Sequence, residues 1–187
     1  MARLLLFFAV HPDDALHIRE LYRRTGLGMA SLQKELDRFQ RLDIVRKDRD
    51  GRRLIYRLDV DSDHWRAMRA LVRRLATPAE VLREALTGVP GVEAAFVFGS
   101  QARGDMRPDS DVDLLLVADE PASRAVQDPL SEAESLMGRD VDVVTFSHAG
   151  VREKLRAGTH FFQRIRREPK QWVAGDPRTW AALEVPS

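Results

Sequence analysis

The sequence predicts an α+β protein in two modules, a helical front with a basic hairpin and a rear with a small mixed α/β sheet flanked by helices. Three observations carry that prediction. Charge is split along the chain: residues 1–88 hold 18 Lys and Arg against 13 Asp and Glu, and residues 89–187 hold 12 against 16, so a net +1 hides +5 followed by −4. Apolar residues in the front recur at helical spacing, apart from two short strands around Asp50-Gly51. The rear instead carries apolar strand runs, Phe96-Val97-Phe98 and Leu114-Leu115-Leu116-Val117, separated by a stretch rich in turn residues. The boundary is expected between residues 76 and 77, giving modules 1–76 and 77–187.

Residues 1–10, which include Leu4-Leu5-Leu6-Phe7-Phe8, read as a buried first helix. They are not read as a secretory leader, because no small-residue cleavage site is present and His11-Pro12-Asp13-Asp14 follows at once. His17 to Gly26 is a short helix closed by its glycine. Met29 to Leu42 is a second helix, with Leu32, Leu36 and Phe39 as core stripe and Ser31, Gln33, Lys34, Arg38 and Arg41 on the other face. Strands at Ile44–Lys47 and Leu54–Leu58 are joined by Asp48–Arg53, with Arg52 and Arg53 at the tip. After a polar break, Ser62 or Asp63 caps the helix His64–Leu75, whose Trp65, Met68, Leu71, Val72 and Leu75 form one stripe, read as core or, second, as a dimer seam. Thr77-Pro78 opens the helix Ala79–Leu86, and Gly88-Val89-Pro90-Gly91 ends it.

Two helices followed by a basic hairpin resemble a winged helix-turn-helix of the ArsR-like kind. That resemblance implies DNA binding, with the second helix in the major groove through Ser31, Gln33, Lys34 and Arg38, and Arg52 and Arg53 on phosphates or the minor groove. Solvated charge on a small helical domain is the plainer reading. With 26 Arg against 4 Lys in the chain, arginine number alone says little.

The rear carries the chemistry. Gly99-Ser100 ends one apolar run, and Asp111-Val112-Asp113 opens the next. Alternation along a strand puts Asp111 and Asp113 on one face and Val112 and Leu114 on the other. Adjacent carboxylates repel, so their pairing at a strand mouth makes sense around divalent cations. Gly-Ser at the end of the preceding strand suits close approach of a phosphate to backbone N–H groups. Hard oxygen ligands beside a phosphate cradle point to Mg²⁺-assisted phosphoryl or nucleotidyl transfer.

Gly-Ser, ten residues and Asp-x-Asp resemble the nucleotidyltransferase superfamily that includes DNA polymerase beta, in its minimal (MNT) branch, over residues 77 to 172. The loop wording Arg103-Gly104-Asp105 with Asp109-Ser110 resembles the family too. The family draws a third carboxylate from a later strand, which implies Asp142, flanked by Val141 and Val143, in preference to Asp140 nearer the turn. The resemblance implies Asp111, Asp113 and Asp142 as catalytic and metal-binding residues around two Mg²⁺ ions, with Mn²⁺ as a substitute. It implies Gly99, Ser100, Arg103 and Ser110 as nucleotide-binding residues, an NTP substrate with ATP expected, and a hydroxyl acceptor on protein, RNA or a small molecule. Many MNT proteins act beside a HEPN-type partner as antitoxins, so a separate HEPN-type partner chain is expected; the winged-helix resemblance implies, instead or in addition, autoregulation of a small operon, and a homodimer as second reading. The alternative is a transcriptional regulator whose rear domain senses nucleotide without turnover. His148 and His160 receive no role.

The composition excludes some chemistry. Without cysteine there is neither a disulfide nor a thiolate zinc site. No apolar run approaches the roughly 20 residues of a membrane span, so the cytoplasm is expected and no membrane partner. A helix from Ser147 through Leu155, an interruption at Gly158-Thr159, a continuing stripe of Phe161, Phe162 and Ile165, and Trp172 and Trp180 pinning the tail complete the reading.

Overall fold

The computed structural model describes residues 2–105 and 110–184 and divides into two compact units, residues 1–76 and 77–187. Asp109 of the expected loop lies outside the described residues. Among the described residues no helix is long and apolar enough to cross a membrane.

In the first unit the order is α1 (Ala2–Val10), β1 (Ala15–His17), α2 (Ile18–Thr25), α3 (Met29–Arg41), β2 (Val45–Asp50), β3 (Arg53–Leu58) and α4 (Asp63–Leu75). The buried face of α1 consists of Leu4, Leu5, Phe7, Phe8, Ala9 and Val10. Gly26 stops α2 by taking the left-handed conformation, φ 62°, with its N–H on the Tyr22 carbonyl. Leu32, Leu36 and Phe39 bury the inner face of α3 as their spacing predicts. The strands form an antiparallel sheet in the order β1-β3-β2. Two differences from the sequence expectation are local. The hairpin is longer than expected, paired out to Asp50 opposite Arg53, so Gly51 and Arg52 alone make the turn. The third strand, β1, is only three residues long and carries no alternation a sequence could show.

A third difference is a correction. The five-residue stripe of α4 is not all core: Trp65 and Val72 are buried, while Leu71 is 48% and Leu75 72% exposed. At about 100° per residue those five side chains spread over about 120° of the helix. Their outer edge passes beyond what the rest of the unit covers. Ser62 is the cap, its hydroxyl accepting from the Trp65 N–H.

The second unit runs α5 (Pro78–Leu86), β4 (Val92–Val97), α6 (Gly99–Arg103), β5 (Val112–Ala118), α7 (Glu120–Ala125), α8 (Gln127–Met137), β6 (Val141–Phe146), α9 (His148–Ala157), α10 (His160–Arg167), β7 (Gln171–Ala174) and α11 (Pro177–Glu184). Thr77 and Glu80 close a capping box on α5, and Ser147 caps α9 through the Gly150 N–H. The sheet order is β6-β5-β4-β7; β5 and β6 are parallel, β4 antiparallel to both its neighbours, so the sheet is mixed. The segment around Trp172, expected as a tail pinned to the body, is an edge strand of this sheet.

Alternation sorts the sheet into two faces. One carries Ala94, Phe96, Phe98, Leu115 and Val117, packed against Val151, Phe162, Ile165, Trp180 and Leu183 of α9, α10 and α11. Phe96 lies edge-on to Trp172 and Trp180, each at 5.2 Å between ring centres. The opposite face buries Leu114 and Leu116 completely; α5 contacts β4 and β7, α7 contacts β5, and α8 packs against α5 and α7. Filled on both faces, β5 is a rigid platform, and only its first residues reach the open end.

Candidate active site

Strand direction assembles the site. Because β4 runs against β5, the end of β4 meets the start of β5, and the Phe98 N–H donates to the Asp113 carbonyl at 3.0 Å. Because β6 runs along β5, its start arrives at the same end, with Asp113 directly opposite Asp142. Side chains opposite one another on parallel strands share a face, so the two carboxylates are neighbours. Asp113 is half-buried; Asp142 and Asp111 are exposed.

Gly99 accounts for the closeness of the preceding turn. Its φ is +71°, and a Cβ there would fall on the Asp113 carboxylate, well inside contact distance. Only glycine permits both the left-handed backbone and that approach. The residues after it, expected as loop, form the short helix α6, ended by Gly104 at φ 81°. Ser100 and Arg103 therefore stand on one turn of helix beside the aspartates.

The electrostatics of Asp113 reflect this crowding. Burial, first, and repulsion from Asp142, second, raise its carboxyl above the ordinary value, with Asp111 adding; Arg164 and Arg103 pull it back down. A carboxylate kept beside two others at the cost of its own ionisation has positive charge as its natural complement. The donors are all carboxylate oxygens, a hard set that fits Mg²⁺ or Mn²⁺. Among the described residues no group of three or more His, Asp or Glu is drawn close enough to hold a metal alone. A cation held by one or two carboxylates and completed by substrate phosphates fits that arrangement.

Residues that sequence spacing did not reveal hold the parts in place. Arg139, just before β6, donates from Nε to the Ser110 carbonyl at 2.8 Å, and from Nη2 to the same carbonyl, to Ser110 Oγ at 3.4 Å and to Gln101 Oε1 at 3.2 Å. One guanidinium thus ties α6 and the residue before Asp111 to the head of β6. Gln101 is 5% exposed, and its carbonyl accepts from Gln171 Nε2 of β7 at 3.2 Å. Asp140, the less favoured acid, uses its carbonyl to receive the Val112 N–H at 2.9 Å. Arg103, expected on phosphate, bonds Glu168 Oε1 at 2.9 Å and lies 3.5 Å from Asp105. His148, given no role, pairs with Glu93 at 2.7 Å, at the far end of β4 from the aspartates. No local signal marks Arg139, Arg164 or Glu168: each acts across 29 or more residues, or within an arginine-rich background.

In the first unit the residues expected to meet DNA are exposed to solvent. Ser31, Gln33, Lys34 and Arg38 are exposed on α3, and Arg52 and Arg53 are exposed at the β2–β3 turn.

Comparison with known proteins follows the same division. The family model described as a nucleotidyltransferase domain matches residues 79–173, just over half of the chain. The chain belongs to the nucleotidyltransferase domain family. No curated protein matches it significantly. A solved structure described as "Crystal structure of the toxin-antitoxin with AMP-PNP" aligns at 20% identity over 54% of this chain and 76% of that one, with a TM-score of 0.37. That likeness is too distant to carry an argument about function.

Proposed function

We propose that the second unit transfers a nucleoside monophosphate from an NTP, ATP in the first instance, to a hydroxyl acceptor, and that the first unit is a DNA-binding winged helix. The observation that carries the transfer reading is the row Asp113–Asp142 across parallel β5 and β6, with the Gly99 backbone pressed against it.

Asp111, Asp113 and Asp142 would hold the divalent cations, which when bound supply charge neutralisation at the phosphates and a more acidic acceptor hydroxyl. Gly99 and Ser100, at the end of β4, bind the β- and γ-phosphates through backbone N–H groups and the serine hydroxyl. Ser110, held by Arg139, lines the entry to Asp111. Asp142, exposed at the head of β6, takes the proton from the acceptor hydroxyl. That oxygen attacks the α-phosphorus in line, the bond to the bridging oxygen breaks, and pyrophosphate carries the electron pair away. The packed sheet beneath keeps the carboxylates in position throughout, so their orientation is set before substrate arrives.

For the first unit, the support is the exposed polar face of α3 together with exposed Arg52 in a two-residue turn and exposed Arg53 opening β3. A recognition helix and a basic wing need those two surfaces.

The test of transfer is incubation with Mg²⁺ and α-labelled NTPs, alone and with candidate protein, RNA and small-molecule hydroxyl acceptors. Label moving to an acceptor with release of pyrophosphate is the expected result. Nucleotide binding without transfer to any acceptor, coupled to nucleotide-dependent DNA binding, would make the second unit a sensor instead.

A further inference from the structure

The Arg103–Glu168 pair is unlike the other ion pairs of the second unit. It joins the last residue of α6, beside the Gly99-Ser100 turn, to the residue that caps α10 sixty-five positions later. Arg103 Nη1 donates to Glu168 Oε1 at 2.9 Å, and Arg164 Nε lies 4.0 Å from the same oxygen. The other carboxylate oxygen, Oε2, is shielded from solvent and finds no hydrogen-bond partner among the described residues. The carboxylate therefore engages one of two arginines well, and with half of its acceptor capacity. A buried acceptor left unsatisfied weakens the contact it belongs to.

The two sides of the pair differ in how they are held. Glu168 is anchored: its N–H donates to the Arg164 carbonyl at 3.0 Å, and its own carbonyl accepts from Lys170 Nζ at 3.1 Å. Lys170 also bonds the Ile165 carbonyl, pinning the turn. The Glu168 side chain is 18% exposed; that of Arg103 is 40% exposed. Arg103 is thus the partner able to move, and Arg103 and Arg164 both act electrostatically on Asp113.

Resting on the nucleotide-transfer reading above, we propose that Glu168 is a carboxylate place-holder: it occupies Arg103 in the free protein and yields it to the polyphosphate of the nucleotide. A polyphosphate offers a guanidinium two parallel acceptors with more charge than the half-engaged carboxylate does. Arg103 exchanges one anion for another and never stands unpaired beside the aspartates. Glu168 also sets a competition that pyrophosphate must win to stay, so it limits how tightly that product is held. It is a positioning residue acting through Arg103, and it touches no reacting atom.

The test is calorimetric binding of inorganic pyrophosphate and of AMP at fixed Mg²⁺, on the parent chain, Glu168→Gln, Arg103→Ala and the double variant. Glu168→Gln should bind pyrophosphate about threefold more tightly, the scale of a partly exposed ion pair. Arg103→Ala should bind it more weakly, and adding Glu168→Gln to Arg103→Ala should change nothing further. AMP, which lacks the β- and γ-phosphates, should bind the parent and Glu168→Gln alike. A structural role for Glu168 could only weaken binding; unchanged or weaker pyrophosphate binding by Glu168→Gln overturns the proposal. Tightening that survives removal of Arg103 overturns it too, because a general charge effect would then explain it. If the parent binds neither AMP nor pyrophosphate, the nucleotide reading itself fails; if it binds pyrophosphate and the variants match it, only the place-holder fails.

Discussion

The two units handle charge in opposite ways. In the first, unlike charges neutralise one another locally: Arg24 with Asp14 at 2.5 Å, Arg46 with Asp59 at 2.7 Å and Arg57 with Asp48 at 3.0 Å. In the second, like charges are brought together across β5 and β6, and Asp113 has its ionisation opposed by burial and by Asp142. Opposite charges that meet in direct ion pairs offset one another's burial. Crowded carboxylates work against folding, and their presence calls for a function that uses them. Arg52 and Arg53 stand outside those pairs, exposed at and beside the β2–β3 turn.

The largest expected effect follows from Asp113. Asp113→Asn should reduce nucleotidyl transfer by about a thousandfold, the scale of losing one preorganised group that stabilises developing charge. Its effect on stability should have the opposite sign. The raised pKa means that the folded chain holds the Asp113 proton more tightly than the unfolded chain, so the penalty exists at neutral pH and disappears as pH falls below the unfolded carboxylate value. With divalent cations chelated, melting temperatures should show Asp113→Asn above the parent near pH 7, with the gap closing toward acid pH. A lower melting temperature for the variant at pH 7 would dissolve the contrast between the units.

Gly99→Ala should come next. The left-handed backbone alone makes alanine about 1–2 kcal/mol worse there, and the new methyl group would displace the Asp113 carboxylate. Denaturant unfolding and the transfer assay should both register it. Gly51→Ala, also at positive φ but with open space around its Cβ position, should show the backbone cost without any loss of transfer, which isolates the steric part.

Arg139→Ala is expected to destabilise the second unit by about 1–3 kcal/mol, because the Ser110 carbonyl and Gln101 amide lose their donor. Transfer should fall mainly in kcat, since α6 and the strand carrying Asp113 would no longer be tied together. A change confined to KM would show that Arg139 serves nucleotide binding instead.

The smallest effect belongs to the first unit. Arg52→Ala with Arg53→Ala should leave melting temperature unchanged, weaken DNA binding and flatten its slope against log salt by about 1.8. No DNA binding by the parent at low salt would refute the winged-helix role and leave the first unit's charges as solvated surface.

How much was legible divides along the range of the interaction. Gly26, Ser62, Thr77, Ser147 and Gly158 each end or begin a helix as read, because caps depend on residues a few positions apart. The strands β4 and β5 were legible because buried strands read as apolar runs, with Gly-Ser and Asp-x-Asp at their ends, and the edge strand β6 was legible from the valines flanking Asp142. Strands β1 and β7 were not, since three or four residues carry too little periodicity to stand out. The stripe on α4 was overread, because periodicity marks which residues are apolar and not how wide a neighbour covers them.

The sequence by itself determined the residue types and the local geometry of the candidate site: a glycine able to take positive φ and acids alternating on a strand. Only tertiary structure decided that Asp142 rather than Asp140 lies opposite Asp113, that Arg139 braces Ser110 and Gln101, and that Arg103 rests on Glu168. Register between strands and the reach of a long side chain depend on packing of the whole unit, and no window of neighbouring residues contains that information.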